Sequence, residues 1–212
     1  MREILLLRHA KPDYRGGVRC YIGCRTDPPV LPIPDAERSA LTALLRARNV
    51  RSVWSSTMLR SRQTADAIAD GLPLGVLPGI EELDCGEWDG LSFDEIRARF
   101  PEEYALRGED PARPMPGGET LDALAARALD ALGALLAHTE GNLAVCAHAG
   151  VNRVLIRKLT GRPFSDREPV PQPYLCVNIL RFDGSALTVS AVARTAAELL
   201  VSKGGPDLEK AF

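Results

Sequence analysis

The chain has 212 residues, of which 45% are hydrophobic and 25% charged, and its formal net charge is -2. This composition predicts a folded protein with a buried core and gives no bulk attraction to nucleic acid or to an acidic membrane surface. No apolar run approaches the roughly 18 residues of a membrane span, and the N-terminal segment is too short and too soon charged to be a signal peptide, so we expect a cytoplasmic protein.

Predicted strands and helices alternate along the chain. Strands are predicted at 4–7, 50–54, 74–77 and 142–147, helices at 35–48, 58–69, 93–100, 119–137 and 151–159, and a final hairpin at 175–182 and 186–192. Segments 11–34, 81–90 and 107–117 are predicted loops. This order indicates an α/β fold, a three-layer α/β/α sandwich with a mainly parallel sheet and an antiparallel edge strand. We expect one domain over residues 1–200 and a C-terminal tail over 201–212.

The five cysteines do not indicate a disulfide framework, because their number is odd and no secretion signal precedes them. Cys20 and Cys24 are close enough in sequence to suggest a metal site. No second Cys/His pair at zinc-ligand spacing accompanies them, so reduced thiols packed as small apolar groups are the favoured interpretation.

Two of the three histidines directly follow predicted buried strands. His9 follows the first strand and His148 the strand at 142–147, whereas His138 lies at the end of a helix and is interpreted as a surface residue. A ligand in a parallel α/β sheet binds outside the carboxyl ends of the strands, so His9 and His148 are candidates for chemistry.

Arginines near these histidines indicate an anionic ligand. Arg8 precedes His9, and Arg60 lies in the first turn of the helix at 58–69, close to another strand end. Guanidinium groups bind phosphate in bidentate fashion, and their charge keeps a nearby histidine neutral and nucleophilic. The acidic loop 81–90 offers several carboxyl groups as a general acid, and spacing alone does not choose among them.

Six ordered segments resemble the histidine phosphatase superfamily, also called phosphoglycerate mutase-like. They are Leu7-Arg8-His9-Ala10, Tyr21-Ile22-Gly23 through Thr26-Asp27-Pro28, the run from Ser55 to Ala65, Glu82 to Gly90, Pro116-Gly117-Gly118-Glu119, and Ala147-His148-Ala149-Gly150-Val151. Each segment is a weak signal, but all six in order are a strong one. Ala10 and Ala149 depart from the pattern, which has glycine at both positions.

The resemblance implies a phosphoglycerate mutase-like fold and a phosphatase without metal or cofactor. It makes His9 the residue that becomes phosphohistidine and Glu82 the proton donor. Arg8, Arg60 and His148 would hold the phosphoryl oxygens, and Ile22, Gly23 and Ala149 would add substrate contacts. The implied partner is a small-molecule phosphate ester, bound by a monomer or homodimer.

The short segment before Pro116 favours hydrolysis over mutase chemistry. Only 25 residues separate Gly90 from Pro116, whereas the mutase branch usually carries a longer insertion there. The stretch around Arg19-Cys20-Tyr21 is similar to α-ribazole phosphatases, so α-ribazole 5'-phosphate is the preferred substrate. Another phosphorylated metabolite, or broad specificity for phosphate esters, is almost equally favoured. The alternatives are a phosphoglycerate mutase, a non-catalytic phospho-ligand binding module and a metalloenzyme using His9 and His148.

Overall fold

A computed structural model describes residues 1–14 and 17–201. Of the tail predicted over 201–212, Val201 belongs to a helix, and residues 202–212 lie outside the described residues. The strands are β1 (Arg2–Arg8), β2 (Val50–Ser55), β3 (Leu74–Val76), β4 (Asn142–Ala147), β5 (Val177–Phe182) and β6 (Leu187–Arg194). The helices are α1 (Asp35–Ala47), α2 (Leu59–Ala69), α3 (Phe93–Arg99), α4 (Pro101–Glu109), α5 (Leu121–His138), α6 (Ala149–Leu159) and α7 (Ala196–Val201).

The strands form one sheet in the order β3-β2-β4-β1-β5-β6. The pairs among β3, β2, β4 and β1 are parallel, and β5 pairs antiparallel with both β1 and β6. The predicted α/β architecture with an antiparallel edge is therefore confirmed.

Both faces of the sheet are covered by helices, because its central strands alternate between two apolar clusters. In β1, Ile4 and Leu6 belong to the cluster that includes α5 and α6, whereas Leu5 and Leu7 belong to the cluster that includes α1 and α2. A strand buried on both faces is apolar at every position, which is why Ile4 to Leu7 is a continuous hydrophobic run. Among the described residues, no helix has the length and apolar character needed to cross a membrane.

The structure corrects the prediction at several helix ends. The helix predicted at 93–100 ends before Pro101 as expected. Pro101 also begins α4, which was not predicted and which extends to Glu109 in the predicted loop 107–117, since proline is well suited to the first turn of a helix. Helix α5 begins at Leu121 rather than at 119, because the Thr120 side chain caps it. Helix α7 was not predicted, and its six residues are too few to show a periodic pattern.

Helix α2 starts one residue later than predicted, and a residue from a distant loop caps it. The helix begins at Leu59 without a cap from its own sequence. Asp27, in the loop between β1 and α1, accepts the Leu59 and Arg60 amide N–H groups at 2.5 and 3.4 Å. A carboxylate from a distant loop therefore satisfies this helix end, which sequence patterns do not reveal.

Candidate active site

The carboxyl ends of β1, β2 and β4 bring the predicted residues together. The His9 amide N–H donates to the Ala147 carbonyl at 3.0 Å, which joins the end of β1 to the end of β4 just before His148. A cavity of about 220 Å³ opens at this edge of the sheet. Its lining includes Arg8, His9, Ile22, Arg60, Glu82 and Ala149.

His9 is held in the form that a nucleophile needs. Its ring Nδ1 lies 2.7 Å from the Ala10 carbonyl oxygen, which can only accept, so Nδ1 carries the proton and Nε2 carries the lone pair. Burial, with Arg60 and Arg8 nearby, lowers the pKa of His9 from 6.5 to about 3. The ring is therefore neutral near pH 7.

His148 lies beside His9 and has no exposed surface. Its Nε2 forms a hydrogen bond of 2.7 Å with the Ser56 hydroxyl, while its Nδ1 has no partner among the described residues. Burial and the charge of Arg60 also hold the pKa of His148 well below its usual range. As the N-cap of α6, His148 is placed by the junction of β4 and α6.

Arg60 is a fully buried cation on the first turn of α2. Its Nη1 donates to the Thr26 carbonyl and the Asp27 carboxylate at 3.0 and 3.1 Å, and its Nη2 donates to the Gly23 carbonyl at 3.0 Å. Its Nε has no partner among the described residues. The guanidinium is thus fixed in place while part of its donor capacity stays available to an anion.

Arg8 approaches the cavity from the end of β1. Its Nη1 donates to the Gln172 carbonyl, and its guanidinium lies over the Tyr174 ring, 3.7 Å from the centroid. Its buried Nε has no partner in the described part of the chain. A stacked guanidinium keeps its charge and its outward donors for a ligand.

Glu82 enters the cavity from the loop after β3. Its two carboxyl oxygens accept the Leu83 and Gly150 amide N–H groups at 2.9 and 3.1 Å. A Cβ on Gly150 would lie 2.3 Å from Glu82 Oε1, so this close approach requires glycine. The carboxyl group is therefore fixed beside the first turn of α6.

The structure gives different surroundings to the three positions that were predicted to add substrate contacts, namely Ile22, Gly23 and Ala149. Ile22 and Ala149 line the cavity. The Gly23 amide already donates to the Asp89 carboxylate at 3.3 Å, and its carbonyl binds Arg60. In this structure Gly23 supports Arg60, and its role in binding substrate stays a prediction, as does that of the other two.

The cavity is also lined by residues that were not predicted as site residues, although Arg19 belongs to the stretch from which the substrate was predicted. Tyr14, Arg19, Arg153 and Tyr174 line the same cavity, and the Tyr14 and Tyr174 hydroxyl groups lie 2.7 Å apart. Arg153 follows His148 by five residues, so it lies on α6 one turn beyond the strand end. The spacing from His148 could have indicated that Arg153 lies near the site. Tyr174 lies in a loop, where no periodic sequence pattern indicates its position.

A second cavity of about 230 Å³ adjoins the first and shares Tyr21, Ile22, Glu82 and Arg153 with it. Phe164 and Val154 line its far part. Glu82 therefore lies between the cluster of His9 and the arginines and a second space that is partly apolar.

The possible metal site at Cys20 and Cys24 takes a different form in the structure. Cys24 lies near Asp84 and Asp89, with potential ligand atoms within 4.8 Å of one another, and Cys20 is not part of this group. Both carboxylates already have partners: Asp84 pairs with Arg25 at 2.9 Å, and Asp89 accepts the Arg25 amide at 2.9 Å. These contacts join the two loops and give no reason to place a metal there.

The fold and this cavity define a class of protein that places a neutral, buried histidine between two arginines at the carboxyl edge of an α/β sheet. The chain belongs to the histidine phosphatase superfamily (branch 1), whose family model matches residues 4–195.

Known proteins agree with this membership. A Gallus gallus 6-phosphofructo-2-kinase/fructose-2,6-bisphosphatase is 34% identical over 139 residues, which cover 64% of this chain but only 28% of that protein. The solved structure of Bacillus stearothermophilus YhfR superposes with a TM-score of 0.79 at 24% identity, covering 90% of this chain and 96% of that one. The α-ribazole phosphatase from Shigella flexneri has a TM-score of 0.75 at 20% identity, covering 91% and 96%. These two structures show the shared fold.

Proposed function

We propose that this chain is a phosphatase that hydrolyses a small phosphomonoester through a phosphohistidine on His9. The supporting observation is the His9 ring itself, whose Nδ1 is bound to the Ala10 carbonyl and whose Nε2 lone pair is free in a cavity shared with Arg8 and Arg60. Membership in the histidine phosphatase superfamily agrees with this activity.

In the first step, His9 Nε2 forms a bond to phosphorus while the bond from phosphorus to the ester oxygen breaks. Glu82 gives its proton to the departing oxygen, so the alcohol leaves neutral. The phosphorylated ring is cationic, and its Nδ1–H donates to the Ala10 carbonyl. Arg8 and Arg60 offset the charge on the phosphoryl oxygens, which is the main need of this chemistry.

In the second step, water forms the new bond to phosphorus and the bond to His9 Nε2 breaks. The Glu82 carboxylate takes a proton from the water, which restores the carboxyl group and releases phosphate. Splitting one displacement into two through a covalent intermediate is the general advantage of a nucleophilic side chain.

The reaction is tested with p-nitrophenyl phosphate in the presence of EDTA. We expect activity that resists EDTA in the native protein and none in His9→Ala. When the native reaction is quenched in alkaline denaturant, which preserves phosphohistidine, His9 should carry the phosphoryl group. Loss of activity with EDTA would favour the metalloenzyme. Phosphate binding without turnover at acidic to neutral pH would favour the non-catalytic binding module.

Among substrates, α-ribazole 5'-phosphate is proposed from the Arg19-Cys20-Tyr21 resemblance and agrees with the shared fold of the Shigella flexneri enzyme. A second candidate is a sugar bisphosphate, since curated relatives carry the name fructose-2,6-bisphosphatase. Arg153 favours it: this exposed residue lines the cavity and forms no salt bridge among the described residues.

A screen that includes α-ribazole 5'-phosphate, fructose 2,6-bisphosphate and 3-phosphoglycerate distinguishes these substrates. Arg153→Ala should raise KM for a bisphosphate and leave KM for a monophosphate nearly unchanged if Arg153 binds the second phosphate. Transfer of the phosphoryl group to a second position of 3-phosphoglycerate, rather than to water, would identify a mutase. We also propose a cytoplasmic location, which cell fractionation tests.

A further inference from the structure

Three amide side chains form a cluster beneath the active site: Asn152 on α6, Gln172 in the loop before β5, and Asn178 on β5. None is more than 3% exposed. Gln172 Oε1 accepts from Asn152 Nδ2 and Asn178 Nδ2 at 2.9 and 3.1 Å, and Gln172 Nε2 donates to Asn178 Oδ1 at 2.8 Å. Buried amides are costly when unpaired, so this amide cluster favours a single arrangement.

The amide cluster is anchored in the middle of the sheet. Asn178 lies opposite Leu6 in the pairing of β1 with β5, and its Nδ2 donates to the Leu6 carbonyl at 2.9 Å. Its Oδ1 also accepts the Ala193 amide at 2.9 Å, where the register of β5 against β6 shifts. The strand that carries Arg8 therefore also carries one attachment point of the cluster.

The amide cluster also contacts the segments that position Arg8 and His148. The Gln172 backbone carbonyl accepts from Arg8 Nη1, and the Tyr174 ring two residues later lies against the same guanidinium. The backbone N–H of Asn152 donates to the His148 carbonyl at 3.0 Å. Gln172 thus joins the loop that holds Arg8 to helix α6, whose N-cap is His148.

Arg8 depends on this loop because it has few other partners. It forms no salt bridge with any described carboxylate, and its Nε is buried without a partner. Its direction is set by the Gln172 carbonyl and the Tyr174 ring. By contrast, Arg60 is fixed by three oxygen acceptors of its own.

We propose that Gln172 is a positioning residue for Arg8, held in place by Asn152 and Asn178. This inference rests on the proposed function of Arg8 in binding the phosphoryl group. The Gln172 side chain does not line the described cavity. It fixes the backbone of its loop so that the Gln172 carbonyl aims the guanidinium into the cavity.

The test compares Gln172→Met, which keeps the length of the side chain, in the native and Arg8→Lys backgrounds. Affinities for inorganic phosphate and orthovanadate are measured by titration calorimetry, together with kcat/KM for p-nitrophenyl phosphate. We expect Gln172→Met to weaken orthovanadate binding about tenfold in the native background, as for the loss of one charge-assisted hydrogen bond. In the Arg8→Lys background the further loss should be about twofold or less, because neighbouring sites are not additive.

Asn142→Leu is the matched control, because Asn142 joins Glu3 and Arg48 at the opposite end of the sheet. It should lower the melting temperature and leave orthovanadate affinity unchanged. Asn152→Ala is the milder second variant if Gln172→Met does not fold, and it should weaken anion binding in the same direction. An equal loss in both Arg8 backgrounds would overturn the inference, as would an equal loss in Asn142→Leu. Anion binding is measured without turnover, so absent hydrolysis in the native protein would overturn the proposed function alone.

Discussion

The imidazole rings of His9 and His148 lie 5.1 Å apart, centroid to centroid, with their planes inclined at 57°. Burial lowers the pKa of both, and the charge of Arg60 adds to the effect on each. Two imidazolium ions at this spacing would repel each other and the arginines. The two histidine rings are therefore neutral, and the positive charge of the site is carried by Arg8 and Arg60, which can bind an anionic ligand.

The low pKa of His9 predicts a loss of stability in acid. In the unfolded chain this histidine titrates near 6.5, and in the folded protein near 3. Between these values the unfolded chain binds more protons, so the free energy of unfolding falls as pH decreases through that window. Urea unfolding at a series of pH values should show a steeper decline for the native protein than for His9→Gln.

His138→Gln is the control for that experiment, since His138 is exposed at the end of α5. Its unfolding free energy should follow the native pH dependence. If His9→Gln and His138→Gln both follow it, His9 is not the buried neutral group described here.

Ser56 is the hydrogen-bond partner of His148, and its removal should lower kcat. In Ser56→Ala the His148 Nε2 loses its contact of 2.7 Å and stays buried, so the ring is free to turn. We expect kcat to fall about tenfold, in line with the loss of one buried hydrogen bond. Steady-state kinetics check this, with Ser52→Ala as the control, because the Ser52 hydroxyl accepts a hydrogen bond from Trp54 Nε1 on the same strand, away from His148. A normal kcat in Ser56→Ala would show that His148 needs no such support.

The strand ends of the candidate site could be predicted from sequence because they follow local patterns. His9 and His148 each come directly after a run of apolar residues, and a parallel sheet brings such ends together. The short range of these signals explains why the positions of Arg8, His9 and His148 at the ends of two strands could be predicted.

Long-range contacts could not be predicted in the same way. Asp27 caps α2 from a distant loop, and Tyr174 reaches Arg8 across more than 160 positions of the chain. The Gln172 cluster has no periodic signal either, because its members lie on a helix, a loop and a strand. Such residues become visible only when the fold brings them together.

The proposed proton donor predicts a dependence on the leaving group. Glu82→Gln keeps the shape of the side chain but has no proton to give, so esters with a poor leaving group should suffer most. We expect kcat for an alkyl phosphate to fall about 10²–10⁴-fold, the usual contribution of a general acid, and kcat for p-nitrophenyl phosphate to fall much less. Parallel kinetics on the two esters measure the difference. Equal losses on both would remove Glu82 from this role.

Gly150 supplies an independent test of the same carboxyl group. Its amide donates to Glu82 Oε2, and a Cβ at this position would lie 2.3 Å from Glu82 Oε1. Gly150→Ala must therefore displace the carboxyl group without changing its chemistry, and alkyl phosphates should again lose more activity than p-nitrophenyl phosphate. Gly133→Ala is the matched control, because no described atom outside its own stretch of helix α5 lies within 4 Å of its Cβ position. That control should keep full activity and raise the free energy of unfolding by about 0.5–1 kcal/mol, since alanine is the better helix former. An unchanged ratio of alkyl to aryl activity in Gly150→Ala would mean that the observed position of Glu82 is not the one that catalysis uses.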